Sequence, residues 1–228
     1  MERSQRIRSA LPRPVRKEMS VSRMVKLAVS TVTAAVVLSV CGLASCQAAL
    51  IVINLDEITV DLAGTGDPFP DDWRTADDRH VVQANVNLIA AARAAGVLII
   101  YLYGDYKYLA EGEELATFDR TIAPREGDIL IGRPGPNMNV FRDTILLETL
   151  ESMGIRTLLF SGLNTGYCIK WSAREGLYLG FDVIVVADAH SGGEPDYAAA
   201  YNAYWPELGI SVVPFAEIDL KALCAESE

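Results

Sequence analysis

The sequence is poor in positive charge beyond its first 45 residues, and it contains only two histidines. Residues 1–45 contain 8 Lys/Arg and 2 Asp/Glu. The other 183 residues contain 12 Lys/Arg and 28 Asp/Glu, which gives them a net charge of −16. Phosphate is repelled by such a body, so no nucleic-acid partner is expected. The histidines, His80 and His190, are too far apart in the sequence to predict a zinc site.

Low-complexity tracts and internal repeats are also absent. The 228 residues are 50% hydrophobic, with 17 Gly and 10 Pro, which excludes a disordered or collagen-like chain. The length is sufficient for one domain with a full hydrophobic core.

The first 46 residues have the parts of an export signal. A basic stretch is followed by an apolar run, Leu27–Val40, and then by small residues. The tetrad Leu43-Ala44-Ser45-Cys46 resembles a bacterial lipobox, which implies cleavage before Cys46 and a lipid on its thiol. The sequence therefore predicts an export signal over 1–46, a domain over 47–228, and an exported protein attached to the membrane through its N-terminal segment.

Other interpretations of this segment remain open. No charged residue lies between Leu27 and Leu55, so an uncut membrane anchor is one of them. Another is that the protein is a cytoplasmic enzyme whose start codon is assigned too far upstream. A start at Met19 would give an export signal of more usual length. The first strand begins about three residues after Cys46, which leaves a lipid-anchored domain with almost no tether.

From residue 49 onwards, short apolar runs alternate with helical patterns. This alternation predicts a parallel sheet covered by helices on both faces. Strands are predicted at 49–54, 97–103, 128–131, 156–162, 182–189 and 210–215, and helices at 76–95, 141–154, 165–180 and within 196–209. Right-handed crossovers place all strand C-termini at one edge, where ligands bind. That edge collects Asn54, Tyr103–Asp105, Gly132–Arg133, Gly162–Cys168 and Asp188–Ser191.

The segment 161–176 carries the clearest chemical feature. A buried strand ends at Gly162, and Cys168 falls in the first turn of the next helix. The partial positive charge and free N–H groups of a helix N-terminus favour a nucleophilic thiolate and can stabilise an oxyanion. A small buried core cysteine would fit the same position.

Residues 122–192 resemble the isochorismatase-like cysteine hydrolase superfamily. The matching positions are Ala123-Pro124, Gly127-Asp128, Phe141 with Thr144, Gly162 with Thr165 and Cys168, and Asp188-Ala189. The similarity extends over nearly all of 49–215. It implies a three-layer α-β-α sandwich with a six-stranded, mainly parallel sheet of the Rossmann-like kind, and a homo-oligomer. The metal-binding relatives have several His and Asp between the second and third strands, whereas residues 104–127 contain no His, so no metal is expected, and no cofactor is expected either.

The resemblance also implies a Cys–Asp–Lys triad that hydrolyses a small amide, imide or ester. Its nucleophile falls on Cys168, and its oxyanion hole on the backbone N–H groups of Asn164 and Cys168. A cis peptide is implied between Leu163 and Asn164.

Two triad positions depart from the family pattern. The Asp falls on Asn54, whose amide cannot carry a proton, and the Lys falls on Arg133, which keeps its charge but does not deprotonate. Asp56 lies two residues beyond Asn54, on the same strand face, and is the candidate to replace the missing base. Three consequences stay open: Asp56 takes over, the thiolate alone suffices for an easier substrate such as an activated ester, or the pocket only binds.

Trp73, Tyr103 and Thr165 are the candidates for binding a small-molecule substrate, with a minor role open to His190. Trp73 lies in the loop after the first strand, and Tyr103 lies at the end of the second; packing is the alternative role for both aromatic residues. The sequence therefore predicts an exported cysteine hydrolase. The alternative is a non-catalytic relative that binds a small molecule or a protein partner in the same pocket.

Overall fold

The protein folds around a six-stranded sheet in which every strand pair is parallel. The structure, a computed structural model, describes residues 46–56, 79–105, 118–134, 137–192 and 196–225. The strands are β1 (Ala48–Ile53), β2 (Leu98–Asp105), β3 (Ile129–Pro134), β4 (Thr157–Leu163), β5 (Asp182–Ser191) and β6 (Ser211–Val213). Their order is β3-β2-β1-β4-β5-β6. The predicted α/β fold with a parallel sheet is confirmed.

Helices cover both faces of this sheet. They are α1 (Arg79–Ala95), α2 (Leu146–Ser152), α3 (Lys170–Tyr178) and α4 (Tyr197–Tyr204), with short 3₁₀ turns at Trp205–Leu208, Phe215–Glu217 and Ala222–Cys224. Strand β1 is buried along its whole length, and alternate residues face opposite sides. Ile51 packs into the cluster that holds residues of α2 and α3, whereas Leu50 packs into the cluster that holds residues of α1. In the described part of the chain, every helix is too short or too polar to cross a bilayer.

Two predicted helices differ from the observed ones. The helix predicted at 141–154 begins only at Leu146, because the preceding residues form turns: Asp143 has a φ of 57°, and the Thr144 hydroxyl accepts the N–H of Leu146 at 3.2 Å. The helix predicted at 165–180 is divided into a wide π-helical turn, Thr165–Ile169, and α3.

An ion-pair cluster joins α1 to the loop before β3. The guanidinium of Arg93 lies 2.5 Å from a carboxylate oxygen of Asp128 and donates to the hydroxyl of Tyr101 at 3.0 Å. That hydroxyl donates to the carbonyl of Ile122 at 2.6 Å, and burial raises the pKa of Tyr101 to about 12. The Gly-Asp pair of the sequence motif is therefore a structural feature here, since Asp128 fixes this loop against α1.

Cys46 has a partner that the sequence did not predict. It forms a disulfide with Cys224, 178 residues away, which joins the residues just before β1 to the last short turn. The sulfur of Cys46 cannot carry both this bond and the thioether of a lipid. Cys46 is a structural cysteine in this structure, and the lipidation that the lipobox resemblance implied would require a form of the protein without this disulfide.

Candidate active site

The carboxyl ends of β1, β3 and β4 bring three polar side chains together. Asn54 directly follows β1 and adopts a φ of 54°, a left-handed conformation that Asn tolerates better than most residues. Its backbone N–H donates to the carbonyl of Leu102 at 2.8 Å. A Cβ on Gly162 would lie 2.0 Å from the carbonyl oxygen of Ile53, so only glycine lets β4 pass this close to the end of β1.

Cys168 lies in the π-helical turn that follows β4. Its side chain is 7% exposed, and it is the free cysteine of the described residues. The amide nitrogen of Asn54 donates to its sulfur at 3.5 Å, and Nη1 of Arg133 donates at 3.7 Å. The structure thus brings together the three residues at the family's triad positions.

Arg133 is buried at the end of β3, with 4% of its surface exposed. Its Nη2 donates to the amide oxygen of Asn54, and its Nη1 also donates to the carbonyl of Asn137 at 2.6 Å. Its Nε has no hydrogen-bond partner. Within the described ranges, no carboxylate lies in ion-pair distance of this guanidinium.

These contacts determine the polarity of the hydrogen bonds at the sulfur. Because Arg133 donates to the amide oxygen of Asn54, the amide nitrogen must be the atom that faces Cys168. Both partners of the sulfur are then donors, and neither can accept a proton from it. A thiolate accepts hydrogen bonds well, whereas a thiol is a weak acceptor, so the arrangement suits the anionic form of the sulfur.

The turn before Cys168 has the backbone geometry that the resemblance implied. The peptide bond between Leu163 and Asn164 is cis, which confirms that prediction. The carbonyl of Asn164 accepts the N–H groups of Tyr167 and Ile169, which closes the π-helical turn. The Asn164 side chain packs against Gly192, where a Cβ would lie 1.8 Å from its Oδ1 and φ is +97°.

Thr165 uses its hydroxyl inside the protein. That hydroxyl lies 2.8 Å from Nδ1 of His190, whose Nε2 lies 2.9 Å from the amide oxygen of Asn202. Asn202 donates through its nitrogen to the carbonyl of Ala187, so its oxygen accepts Nε2–H, and Nδ1 of His190 accepts the hydroxyl of Thr165. Burial lowers the pKa of His190, which agrees with this neutral tautomer. Thr165, a candidate for binding substrate, and His190, for which a minor role was open, are thus hydrogen-bonded to each other in the interior.

The remaining predicted site residues are less closely associated with the sulfur. Tyr103 lies against Gly132 on the sheet face that α1 covers, opposite the face to which Cys168 belongs. Asp56 is buried, with 1% of its surface exposed, and its backbone forms an antiparallel bridge with Phe118. Trp73 lies outside the described residues.

Comparison with known proteins assigns this arrangement to a family. The isochorismatase domain matches residues 48–205, which contain Asn54, Arg133 and Cys168. The chain belongs to the isochorismatase family. The matched segment excludes both Cys46 and Cys224, so the disulfide flanks the isochorismatase domain on either side.

Individual relatives agree with the family assignment. The chain is 29% identical to the ureidoacrylate amidohydrolase RutB of Klebsiella pneumoniae subsp. pneumoniae, over 67% of this chain and 76% of that protein. An isochorismatase family protein from Desulfovibrio vulgaris superposes with a TM-score of 0.63 at 23% identity, covering 76% of this chain and 96% of that one. N-carbamoylsarcosine amidase from Thermoplasma acidophilum gives 0.58 at 22%, covering 75% and 98%. The two solved structures agree with the isochorismatase fold described above.

Proposed function

We propose that this isochorismatase-family hydrolase is cysteine-dependent and acts on a small amide, imide or ester through Cys168. The observation that carries the proposal is that two donors, Asn54 and Arg133, converge on its sulfur at 3.5 and 3.7 Å. A buried structural cysteine needs no such partners, whereas a nucleophile is activated by them. The names of the relatives, an amidohydrolase and an amidase, support the same class of reaction.

In the proposed mechanism, the sulfur attacks the carbonyl carbon, the bond from that carbon to the nitrogen or oxygen of the leaving group breaks, and a thioester forms on Cys168. The guanidinium of Arg133 stabilises the sulfur before attack, and the backbone N–H groups of Asn164 and Cys168 stabilise the oxyanion. The amide of Asn54 keeps the sulfur and Arg133 in position, because it donates to the first and accepts from the second. Water, oriented by Asn54 or Asp56, then releases the acid.

The test is a panel of small amides, imides and esters turned over by the full chain and by its Cys168→Ala variant. Loss of about 10³-fold or more in the variant is expected, because the covalent route disappears. Cys224→Ser serves as a comparison: it removes another cysteine together with the Cys46–Cys224 disulfide and leaves Cys168 and its two hydrogen-bond partners in place. Binding of substrates without turnover, unchanged by Cys168→Ala, would favour the alternative, a non-catalytic relative, to which Asn54 gives some support because it cannot transfer protons.

We also propose that the protein is exported. The basic and apolar pattern of residues 1–46 supports this, and so does the Cys46–Cys224 disulfide, since such bonds persist in oxidising compartments. The Cys224→Ser variant separates the two possible modifications of Cys46, because it removes the disulfide and leaves the lipobox intact. Export predicts a linked Cys46–Cys224 peptide in unreduced wild type. Fatty-acid labelling of Cys46 in wild type would show lipidation instead, and two free thiols would oppose the export proposal.

A further inference from the structure

Among the described residues, neither hydrogen-bond partner of the Cys168 sulfur can hand a proton to a leaving group. The hydrogen-bond partners of the sulfur in the described residues are the amide of Asn54 and the guanidinium of Arg133. An amide is not a practical acid, and a guanidinium stays protonated in proteins. Asn54 and Arg133 can therefore donate hydrogen bonds to a departing atom, but neither of them can transfer a proton to it.

The same contacts offer the thiol proton of Cys168 no acceptor among the described residues. Arg133 is buried, and no carboxylate among the described residues balances its charge. A buried cation without a counter-charge is costly, and a thiolate at Cys168 is the anion that the site itself can supply. In a site with a carboxylate, the thiol proton is stored there and then delivered to the leaving group. Here Asn54 stands in place of that carboxylate, and the described contacts of the sulfur include no group that can store the proton.

This difference decides which substrates can react. After the thiolate adds to a carbonyl, the tetrahedral intermediate expels whichever group leaves more easily. A thiolate is a far better leaving group than an unprotonated amide nitrogen or a simple alkoxide, because thiols are much stronger acids than amines or alcohols. Such an intermediate returns to substrate. It goes forward only if the substrate's own leaving group is as stable an anion as a thiolate.

We propose that the substrates of Cys168 are acyl compounds with acidic leaving groups, namely thioesters or aryl and enol esters, and that unactivated amides are not substrates. This inference rests on the proposed function, and it narrows the substrate class given there. In the first step the bond between Cys168 sulfur and the acyl carbon forms, the bond to the leaving group breaks, and the electron pair departs with that group. In the second, water adds to the acyl carbon, the thiolate departs, and the carboxylic acid loses its proton to solvent.

The experiment compares leaving groups at a constant acyl group. The full chain is mixed with 4-nitrophenyl acetate, an acetyl thioester, phenyl acetate and 4-nitroacetanilide, and acylation is followed by intact mass and by release of the leaving group. Acetylation of Cys168 by the thioester and the nitrophenyl ester is expected, with rates that fall steeply as the leaving group becomes less acidic. A burst equal to the enzyme concentration should precede slow turnover, because no base in the described contacts of the sulfur activates water.

Asn54→Asp supplies the missing proton carrier and should raise the anilide rate by about 10²-fold or more. Asn139→Asp is the control: it adds the same charge in the segment between β3 and α2, keeps the acceptor for the N–H of Phe141, and should leave the anilide rate unchanged. The comparison of leaving groups in the wild-type protein tests the inference even if one of these variants does not fold. Acylation of Cys168 by the anilide as fast as by the esters would overturn the inference and leave the cysteine hydrolase intact. Failure of every probe to acylate Cys168 would overturn both.

Discussion

Two buried or nearly buried arginines in this fold differ in what balances their charge. The side chain of Arg93 is 17% exposed and lies 2.5 Å from Asp128, so its charge is neutralised within the protein. Arg133 is 4% exposed and has, in the described residues, only neutral acceptors and the sulfur of Cys168. The first arginine fixes a loop to a helix. The second leaves its charge available to the sulfur, which is useful for chemistry and costly for stability.

The largest expected effect follows from removing the unbalanced charge. Arg133→Met should slow acylation of Cys168 by about 10³-fold, because the buried sulfur loses the cation beside it. The free energy of unfolding should change little or increase, since a buried charge without a counter-charge disappears. Acylation rates and urea denaturation measure the two effects. A variant that acylates as fast as wild type would remove Arg133 from the mechanism.

Arg93, whose charge is paired with Asp128, should show the opposite pattern: a loss of stability without a loss of activity. Arg93→Met leaves the Asp128 carboxylate without its partner and should lower the free energy of unfolding by about 3 kcal/mol, the usual cost of breaking a buried ion pair. Acylation of Cys168 should be unchanged, because Arg93 belongs to the other face of the sheet. Denaturation curves of Arg93→Met and Asp128→Asn should agree, and loss of activity without loss of stability would contradict this assignment.

Giving Arg133 a carboxylate partner, as Arg93 has in Asp128, should have a smaller effect. In Asn54→Asp a carboxylate beside Arg133 competes with the sulfur for the guanidinium and disfavours the thiolate. Alkylation of Cys168 by iodoacetamide at neutral pH should slow by about tenfold or more. Asn139→Asp again serves as the control. A rate that did not fall would mean that Arg133 does not hold the sulfur in its anionic form.

The smallest effect concerns His190, a buried side chain that stays neutral and so avoids the cost of burying a charge. Burial lowers its pKa against the smaller opposing effects of the Asn202 hydrogen bond and the Asp188 charge. The unfolded chain, with a histidine pKa of about 6.5, takes up the proton first as the pH falls. The stabilising contribution is therefore present above about pH 6.5 and lost as the pH falls through the folded-state pKa. Unfolding free energies between pH 7.5 and 5, spaced about the ordinary histidine pKa of about 6.5, should depend less on pH in His190→Asn than in wild type.

The sequence predicted the sheet because its strands are short, apolar and bounded by turns. The spacing of those strands also predicted that Asn54, Arg133 and Cys168 would share one edge. It could not predict hydrogen-bond polarity, which depends on how the Asn54 amide turns towards Arg133. The inward bond of Thr165 to His190 was missed for a similar reason, since a residue at a ligand-binding edge can face the interior.

The sequence also did not predict which residues far apart in the chain would pair. Nothing in the spacing of Cys46 and Cys224 marks them as partners, because residues 178 apart meet only through the tertiary fold. Arg93 and Asp128 are similar: the Gly-Asp motif was visible, but its partner lies on a helix whose pattern predicted only packing. The π-helical turn at Thr165–Ile169 has no signature in residue type, since its residues fit an ordinary helix equally well.

The disulfide changes the covalent topology of the molecule. It closes the chain from Cys46 to Cys224 into a ring that contains all six strands and the candidate site. One peptide-bond cut within that ring opens it without releasing a fragment, so a nicked chain keeps its mass, apart from one added water, until a reductant is present. Two cuts are required to remove a piece. A protein built in this way can be clipped in a surface loop and still hold β1, β3 and β4 together around Cys168.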